Sequence, residues 1–175
     1  EAPDYRVGPF LAIEYNAALT SNDPKLIKWP LNSPFSSRVI LSAWTGNSLV
    51  PCPEGGFAEN NGTNYAAPVG MAVFASEDGF VMEVLSSPDR GSGVVLQHNR
   101  PAKLKGIATS VYWHIDPVIA AGDFVPKGYT LGTVSDMSAA GLPSQLHFGI
   151  RLGPYTAGIS GLEGLKRTNT TCGTL

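Results

Sequence analysis

Two predicted strands carry the histidines of this chain that could do chemistry. In "SQLHFGIR", Gln145 and His147 are two residues apart, so both side chains point to the same side of a strand. Two histidines at this spacing can share a metal ion and a substrate, but here glutamine takes one of the places. In "TSVYWHIDP", alternation puts Tyr112 and His114 together on the face away from the core. The pattern predicts a groove between the strands, and ordinary hydrogen-bonded histidines remain the alternative.

The elements that would position these residues are short strands. From Lys28 onward, β-branched and aromatic runs alternate with Gly, Pro, Asn, Asp and Ser, and the 20 glycines and 14 prolines are spread along the chain. This alternation predicts a mostly β domain over 29–152. Residues 1–28 are predicted to form an N-terminal arm with a short helix that is broken at Asn22-Asp23-Pro24. Residues 153–175 are predicted to form a C-terminal tail.

Two segments of the predicted domain resemble each other. Ala67–Val84 and Val118–Val134 each read as a glycine turn, a strand, a second turn and a strand. Paired half-motifs of this kind indicate an antiparallel β-sandwich or flattened barrel built by near-duplication. The alternative is that β-hairpins resemble one another without any duplication.

Composition excludes several functional classes. Hydrophobic residues make up 43% of the chain, which argues against disorder. No apolar run approaches the roughly 20 residues that span a bilayer, so no transmembrane segment is expected. With 12 basic and 14 acidic side chains, the formal charge of −2 gives no sign of a nucleic-acid partner.

The two cysteines, Cys52 and Cys172, are too far apart for a redox pair and too few for a zinc site. A disulfide between them would close a loop of about 120 residues. By lowering the chain entropy of the unfolded state, it would stabilise the fold by roughly 5 kcal/mol. We expect this bridge to tie the C-terminal tail back to the domain, with two buried thiols as the alternative. A bridge would place the protein in the periplasm or outside the cell.

Several motifs, in order, carry a family resemblance. They are "NNGTNYAAPVGMAVFA", "GSGVVLQHN", "VYWHID", "VIAAGDFVPKGYTLGTVS" and "QLHFGI". From about Trp29 to Leu152 the chain resembles the lysostaphin-like, or LytM, domain of the M23 metallopeptidases. These enzymes cut the peptide cross-bridges of bacterial peptidoglycan. The resemblance implies the LytM fold and a site built from the first and last of these motifs.

Carried over position by position, the resemblance implies an incomplete site. The zinc-ligand positions of the family fall on Asn60, Asn64 and His147, and the two catalytic histidine positions fall on His114 and Gln145. Zinc prefers imidazole and carboxylate ligands, whereas an amide oxygen suits harder ions. A glutamine cannot relay a proton near neutral pH. The replacements predict loss of both zinc binding and peptidase activity. Calcium or magnesium would need several carboxylates, and only Glu59 adjoins the motif.

The resemblance therefore implies a groove that can bind a peptide without cutting it. Its predicted lining is polar and uncharged and consists of Asn60, Asn64, Tyr65, Tyr112, His114, Gln145 and His147. We therefore expect a non-catalytic, periplasmic or secreted bacterial domain with no cofactor. Its expected partner is a cell-wall hydrolase or a peptidoglycan peptide. The alternatives are a zinc endopeptidase with an atypical metal site and a structural module of an envelope or phage assembly.

Overall fold

A computed structural model describes residues 30–31, 40–42, 50–51, 57–58, 62–88, 91–99, 107–152 and 154–155. More than half of these residues lie in β-strands and almost none lie in helices, which confirms the predicted fold class. The strands are β1 (Ile40–Ser42), β2 (Val50–Pro51), β3 (Phe57–Ala58), β4 (Thr63–Ala66), β5 (Ala72–Phe74), β6 (Gly79–Ser87), β7 (Gly91–His98), β8 (Ala108–Trp113), β9 (Ile115–Pro117), β10 (Phe124–Val125), β11 (Thr130–Val134) and β12 (Gln145–Leu152). A 3₁₀ turn spans Ser138–Ala140. Over the same ranges, no helix is long and apolar enough to cross a membrane.

Two antiparallel sheets enclose the core. The larger sheet has the strand order β1-β4-β12-β8-β7-β6-β10, and the smaller has the order β5-β11-β9. Strands of both sheets contribute to one cluster of buried side chains, including Val73 and Leu131 from the small sheet and Leu96, Tyr112 and Leu146 from the large one. The architecture is therefore a sandwich, and the large sheet has a core face and a second, outer face. We call the second face the site face.

The two similar segments pair with each other. Strand β5 of the first segment pairs with β11 of the second, and β6 pairs with β10. Matching glycines open the segments: Gly70 and Gly122 have φ of 80° and 94°. The N–H of Gly70 donates to Val134 O at 2.8 Å, and that of Gly122 donates to Val81 O at 2.7 Å. Since both the pairings and the turn bonds match, the two segments occupy equivalent places in the sandwich.

Some predictions fall on residues outside the described ranges. These are the arm over 1–28, the Cys52–Cys172 disulfide, the groove position Asn60, and all of the tail over 153–175 except Pro154 and Tyr155. They stay predictions.

Candidate functional site

Neighbouring strands of the large sheet bring three of the predicted site residues together. On β12, His147 lies directly opposite Asn64 of β4 on one side and Trp113 of β8 on the other. Residues opposite one another in antiparallel strands share a face of the sheet, and so do residues two apart on one strand. Asn64, Trp113, Gln145 and His147 therefore all belong to the site face.

Asn64 links the other two polar residues by hydrogen bonds. Its Nδ2 donates to Gln145 Oε1 at 3.1 Å, and its Oδ1 lies 3.0 Å from His147 Nδ1. An amide oxygen only accepts, so the imidazole must carry its proton on Nδ1 to complete this bond. Gln145 and His147 are buried, and Asn64 is half-buried. We call Asn64, Gln145 and His147 the amide–histidine cluster.

Gly62 is a site residue that the sequence reasoning missed. A Cβ at this position would lie 2.7 Å from His147 Nε2 and 2.6 Å from Phe148 O, so any side chain would force a displacement. The backbone of Gly62 therefore forms one wall of the pocket around the imidazole. The signal was present in the sequence, because Gly62 lies two residues before Asn64 at the glycine position of the first family motif.

His114 lies where β8 ends and the chain crosses to the small sheet. It follows Trp113, the residue opposite His147, and it precedes Ile115, the first residue of β9. Its φ of 66° is the one positive value among the described non-glycine residues, and its side chain is buried. Residues in this region of φ/ψ space carry strain that surrounding structure must hold, and such strain clusters at functional sites.

Two residues assigned to the groove lie on the opposite face. Tyr112 is opposite Phe148, with ring centroids 5.0 Å apart, and is fully buried in the core. Tyr65 is opposite Leu146 and packs against the same core cluster. The prediction that Tyr65 and Tyr112 line the groove is therefore wrong. Successive residues of a strand point to opposite faces of the sheet. Tyr65 lies next to Asn64 and Tyr112 lies next to Trp113, so both tyrosines point to the core. Trp113 takes the place on the site face that was predicted for Tyr112.

His98, the remaining histidine, belongs to a polar chain on the core face. Its Nδ1 donates to Asp78 O at 2.9 Å, and its Nε2 lies 2.7 Å from Ser110 Oγ. Ser110 continues to Tyr112 Oη, 3.3 Å away, which accepts from the N–H of Ser76 at 3.0 Å. Burial lowers the pKa of His98, against weaker upward effects from Asp78 and Glu77. This histidine ties β7 and β8 to the turn before β6, on the opposite face of the large sheet from the amide–histidine cluster.

The zinc ion that the family resemblance implies does not fit the described donors. Both polar atoms of the Asn64 amide are engaged by Gln145 and His147, and neither amide carries a negative charge. Zinc sites in proteins use imidazole, thiolate or carboxylate ligands. Across 62–88, 91–99, 107–152 and the shorter described pieces, no three His, Cys, Asp or Glu side chains are grouped so that they could hold a metal.

Comparison with known proteins identifies the family. Residues 58–157 match the profile of peptidase family M23, and this chain belongs to that family. Peptidoglycan DD-endopeptidase ShyB of Vibrio cholerae is 29% identical over 126 residues, which cover 70% of this chain. The match covers 28% of ShyB, so this chain spans less than a third of that relative's length.

Solved structures share the fold at lower identity. A zinc-containing peptidase from Vibrio cholerae superposes with a TM-score of 0.55 at 24% identity, covering 70% of this chain and 35% of that one. A chain from the SpoIIIAH–SpoIIQ complex gives a TM-score of 0.55 at 18% identity, covering 71% of this chain and 91% of that one. These likenesses support the sandwich fold of this chain.

Proposed function

We propose that this domain is a non-catalytic member of family M23 that binds peptidoglycan peptide or a cell-wall hydrolase through its site face. The hydrogen bonding of Asn64 carries the proposal, because an uncharged amide at this position holds the amide–histidine cluster together. An extended peptide could bind such a surface if the amides of the cluster exchange their mutual hydrogen bonds for bonds to its backbone. ShyB, a relative that carries the same domain, is named as a peptidoglycan DD-endopeptidase, which gives the ligand class.

The chemistry of the cluster argues against hydrolysis. A metallopeptidase needs a Lewis acid that polarises the peptide carbonyl and lowers the pKa of a bound water. The Asn64 amide supplies no anion for a dication, and the Gln145 amide supplies no titrating group for proton transfer. His147 keeps an imidazole at its position, but one imidazole does not make a catalytic zinc site. We accordingly propose that the domain works without a metal cofactor.

The compartment follows from the ligand. Peptidoglycan lies outside the cytoplasmic membrane, and the related ShyB is named for acting on it. We therefore place this domain in the periplasm or outside a bacterial cell, where the predicted Cys52–Cys172 disulfide would also be stable.

The test separates binding from cleavage. Purified protein is titrated with soluble cross-linked muropeptides by calorimetry, and the same mixtures are analysed for new peptide ends by mass spectrometry. We expect binding without cleavage. Replacing Gln145 with Ala should weaken binding about tenfold, the cost of one buried hydrogen-bonding group. The matched control is Val118→Ala, at a side chain that is 73% exposed.

Each other outcome has a defined meaning. Cleavage that a chelator abolishes would overturn the proposal in favour of a zinc endopeptidase with an atypical site. If muropeptides neither bind nor are cut, immobilised protein is offered a panel of purified cell-wall amidases and endopeptidases. Retention of one that depends on Gln145 would identify a protein partner, and retention of none would reject the proposed function.

A further inference from the structure

The site face continues past His147 as a small apolar surface. Val111 and Trp113 of β8 are two residues apart and share the face of His147. Val95 lies opposite Val111, and Leu85 lies opposite Gly93, the partner of Trp113. Leu85, Val95, Val111 and Trp113 are buried and contact one another, and we call them the Trp113 cluster.

The indole ring of Trp113 lies against Gly93 of the neighbouring strand β7. A Cβ on Gly93 would be 3.1 Å from two atoms of this ring, closer than ordinary van der Waals contact. The ring therefore extends from β8 over β7, away from His147. This arrangement makes the apolar surface a direct continuation of the amide–histidine cluster across the sheet.

Tyr155 covers this continuation. Its ring packs on the Trp113 cluster, and its hydroxyl donates to Glu83 Oε2 at 2.6 Å. Its backbone N–H donates to Gln97 Oε1 at 2.8 Å. Glu83 is opposite Val95, and Gln97 is two residues from Val95 on β7, so both acceptors are on the site face. Strand β12 ends at Leu152, and Tyr155, three residues later, contacts side chains of β6 and β7.

Among the described residues, the acceptors of the Tyr155 hydroxyl and backbone N–H are the side chains of Glu83 and Gln97 and not backbone atoms of a strand. Glu83 and Gln97 are half-buried, and each can bond to water when Tyr155 leaves. Loss of these two hydrogen bonds would therefore break no sheet pairing. Displacement of the Tyr155 ring would expose the apolar surface, which a ligand with an aromatic or branched aliphatic side chain would cover again.

We propose that Tyr155 is an intramolecular cover on the peptide-binding face, which a ligand must displace to extend from the amide–histidine cluster over Trp113. The inference rests on the proposed function for its ligand, but the cover itself is testable without one. Displacement favours ligands that bring their own ring to the Trp113 cluster and a hydrogen-bond donor to Glu83. Tyr155 thereby lowers the affinity for peptides that lack these groups.

The experiment uses Trp113 as a reporter in the full chain, with Trp29 and Trp44 replaced by Phe. Acrylamide quenching of Trp113 fluorescence is measured in this background and in its Tyr155→Ala and Tyr155→Phe variants. We expect quenching to rise several-fold in Tyr155→Ala. We expect a smaller rise in Tyr155→Phe, which keeps the ring and loses the bond to Glu83. Muropeptide affinity should rise about tenfold and about threefold respectively, reflecting one apolar contact and one hydrogen bond.

Unchanged quenching in Tyr155→Ala, or a lower muropeptide affinity, would overturn the proposal. If Tyr155→Ala does not fold, Tyr155→Phe decides: equal quenching and equal affinity would make Tyr155 a fixed part of the structure. If quenching rises as expected while no variant binds peptide, the cover is supported and the proposed function fails. The two failures are thus distinguishable.

Discussion

The large sheet holds two hydrogen-bonded histidines, one on each face, and their partners differ in kind. On the core face, His98 bonds to a backbone carbonyl and to Ser110, in a chain that ends at Ser76. On the site face, His147 bonds to the Asn64 amide, which also bonds to Gln145. One core partner of His98, the Asp78 carbonyl oxygen, is a backbone atom that no substitution removes. The site partners are side chains that substitution can change without altering strand pairing, so chemistry can be lost there while the fold is kept.

The largest expected effect is on the core face. Tyr112→Ala should lower the free energy of unfolding by about 4 kcal/mol, because it removes a fully buried ring together with the hydroxyl that bonds Ser76. Urea denaturation measures the change. The control Tyr112→Phe keeps the ring and should cost about 2 kcal/mol. If both variants lower the free energy of unfolding equally, the ring contributes nothing to stability. The hydrogen bonds of the Tyr112 hydroxyl would then account for the whole effect.

On the site face, Gly62→Ala should cost about 2 kcal/mol, because the new Cβ would overlap His147 and the Phe148 carbonyl oxygen. Urea denaturation gives the cost, and the ring resonances of His147 in an NMR spectrum should shift. The matched control is Gly141→Ala, where a Cβ meets nothing within 4 Å and only the left-handed φ of 70° is strained. If the His147 resonances respond no more to Gly62→Ala than to this control, Gly62 does not shape the pocket.

Asn64→Leu should have a smaller effect on stability and a clear one on binding. The substitution removes the hydrogen bonds to Gln145 and His147 from a half-buried position, at a cost of about 1.5 kcal/mol. Muropeptide affinity measured by calorimetry should fall about tenfold. A variant that binds as tightly as the natural chain would separate the amide–histidine cluster from ligand recognition.

The pH dependence of stability should come from the core histidine. Burial lowers the pKa of His98 below its ordinary value of 6.5, despite the nearby Glu77 and Asp78. Between these two pKa values the unfolded chain binds more protons than the native protein, so stability falls as the pH drops from about 6.5 and levels off below the native value. Denaturation series between pH 7.5 and 4.5 measure this slope, and His98→Asn should flatten it. An unchanged slope would place its origin elsewhere.

The fold was predictable from sequence because its signals are local. Glycine turns at Gly70 and Gly122 and the short branched runs between them predict strands, and the motif order adds their arrangement. The face of β8 was not predictable, because all six of its residues are buried and polarity does not alternate with the faces. Ser110 bonds on the core face and Trp113 packs on the site face. Only the pairing register between β8 and β12 shows which residues of β8 lie on which face.

Only part of the amide–histidine cluster was predictable from the sequence. The spacing of Gln145 and His147 puts both on one face, but the bonds to Asn64 depend on which β4 residue lies opposite His147, which only the pairing shows. Tyr155 gave no sequence signal at all. It lies in a segment without periodicity, and its contacts with Glu83 and Gln97 span 72 and 58 residues.

The zinc content of the natural chain and of its restored variant tests the central claim most directly. The variant Asn60→His, Asn64→Asp, Gln145→His introduces the family's residues at the three positions where the resemblance predicts that they are replaced. Both proteins are dialysed against zinc, passed over a desalting column and measured by elemental analysis. We predict no stoichiometric zinc in the natural chain and one zinc per chain in the variant. One tightly held zinc in the natural chain would contradict the account.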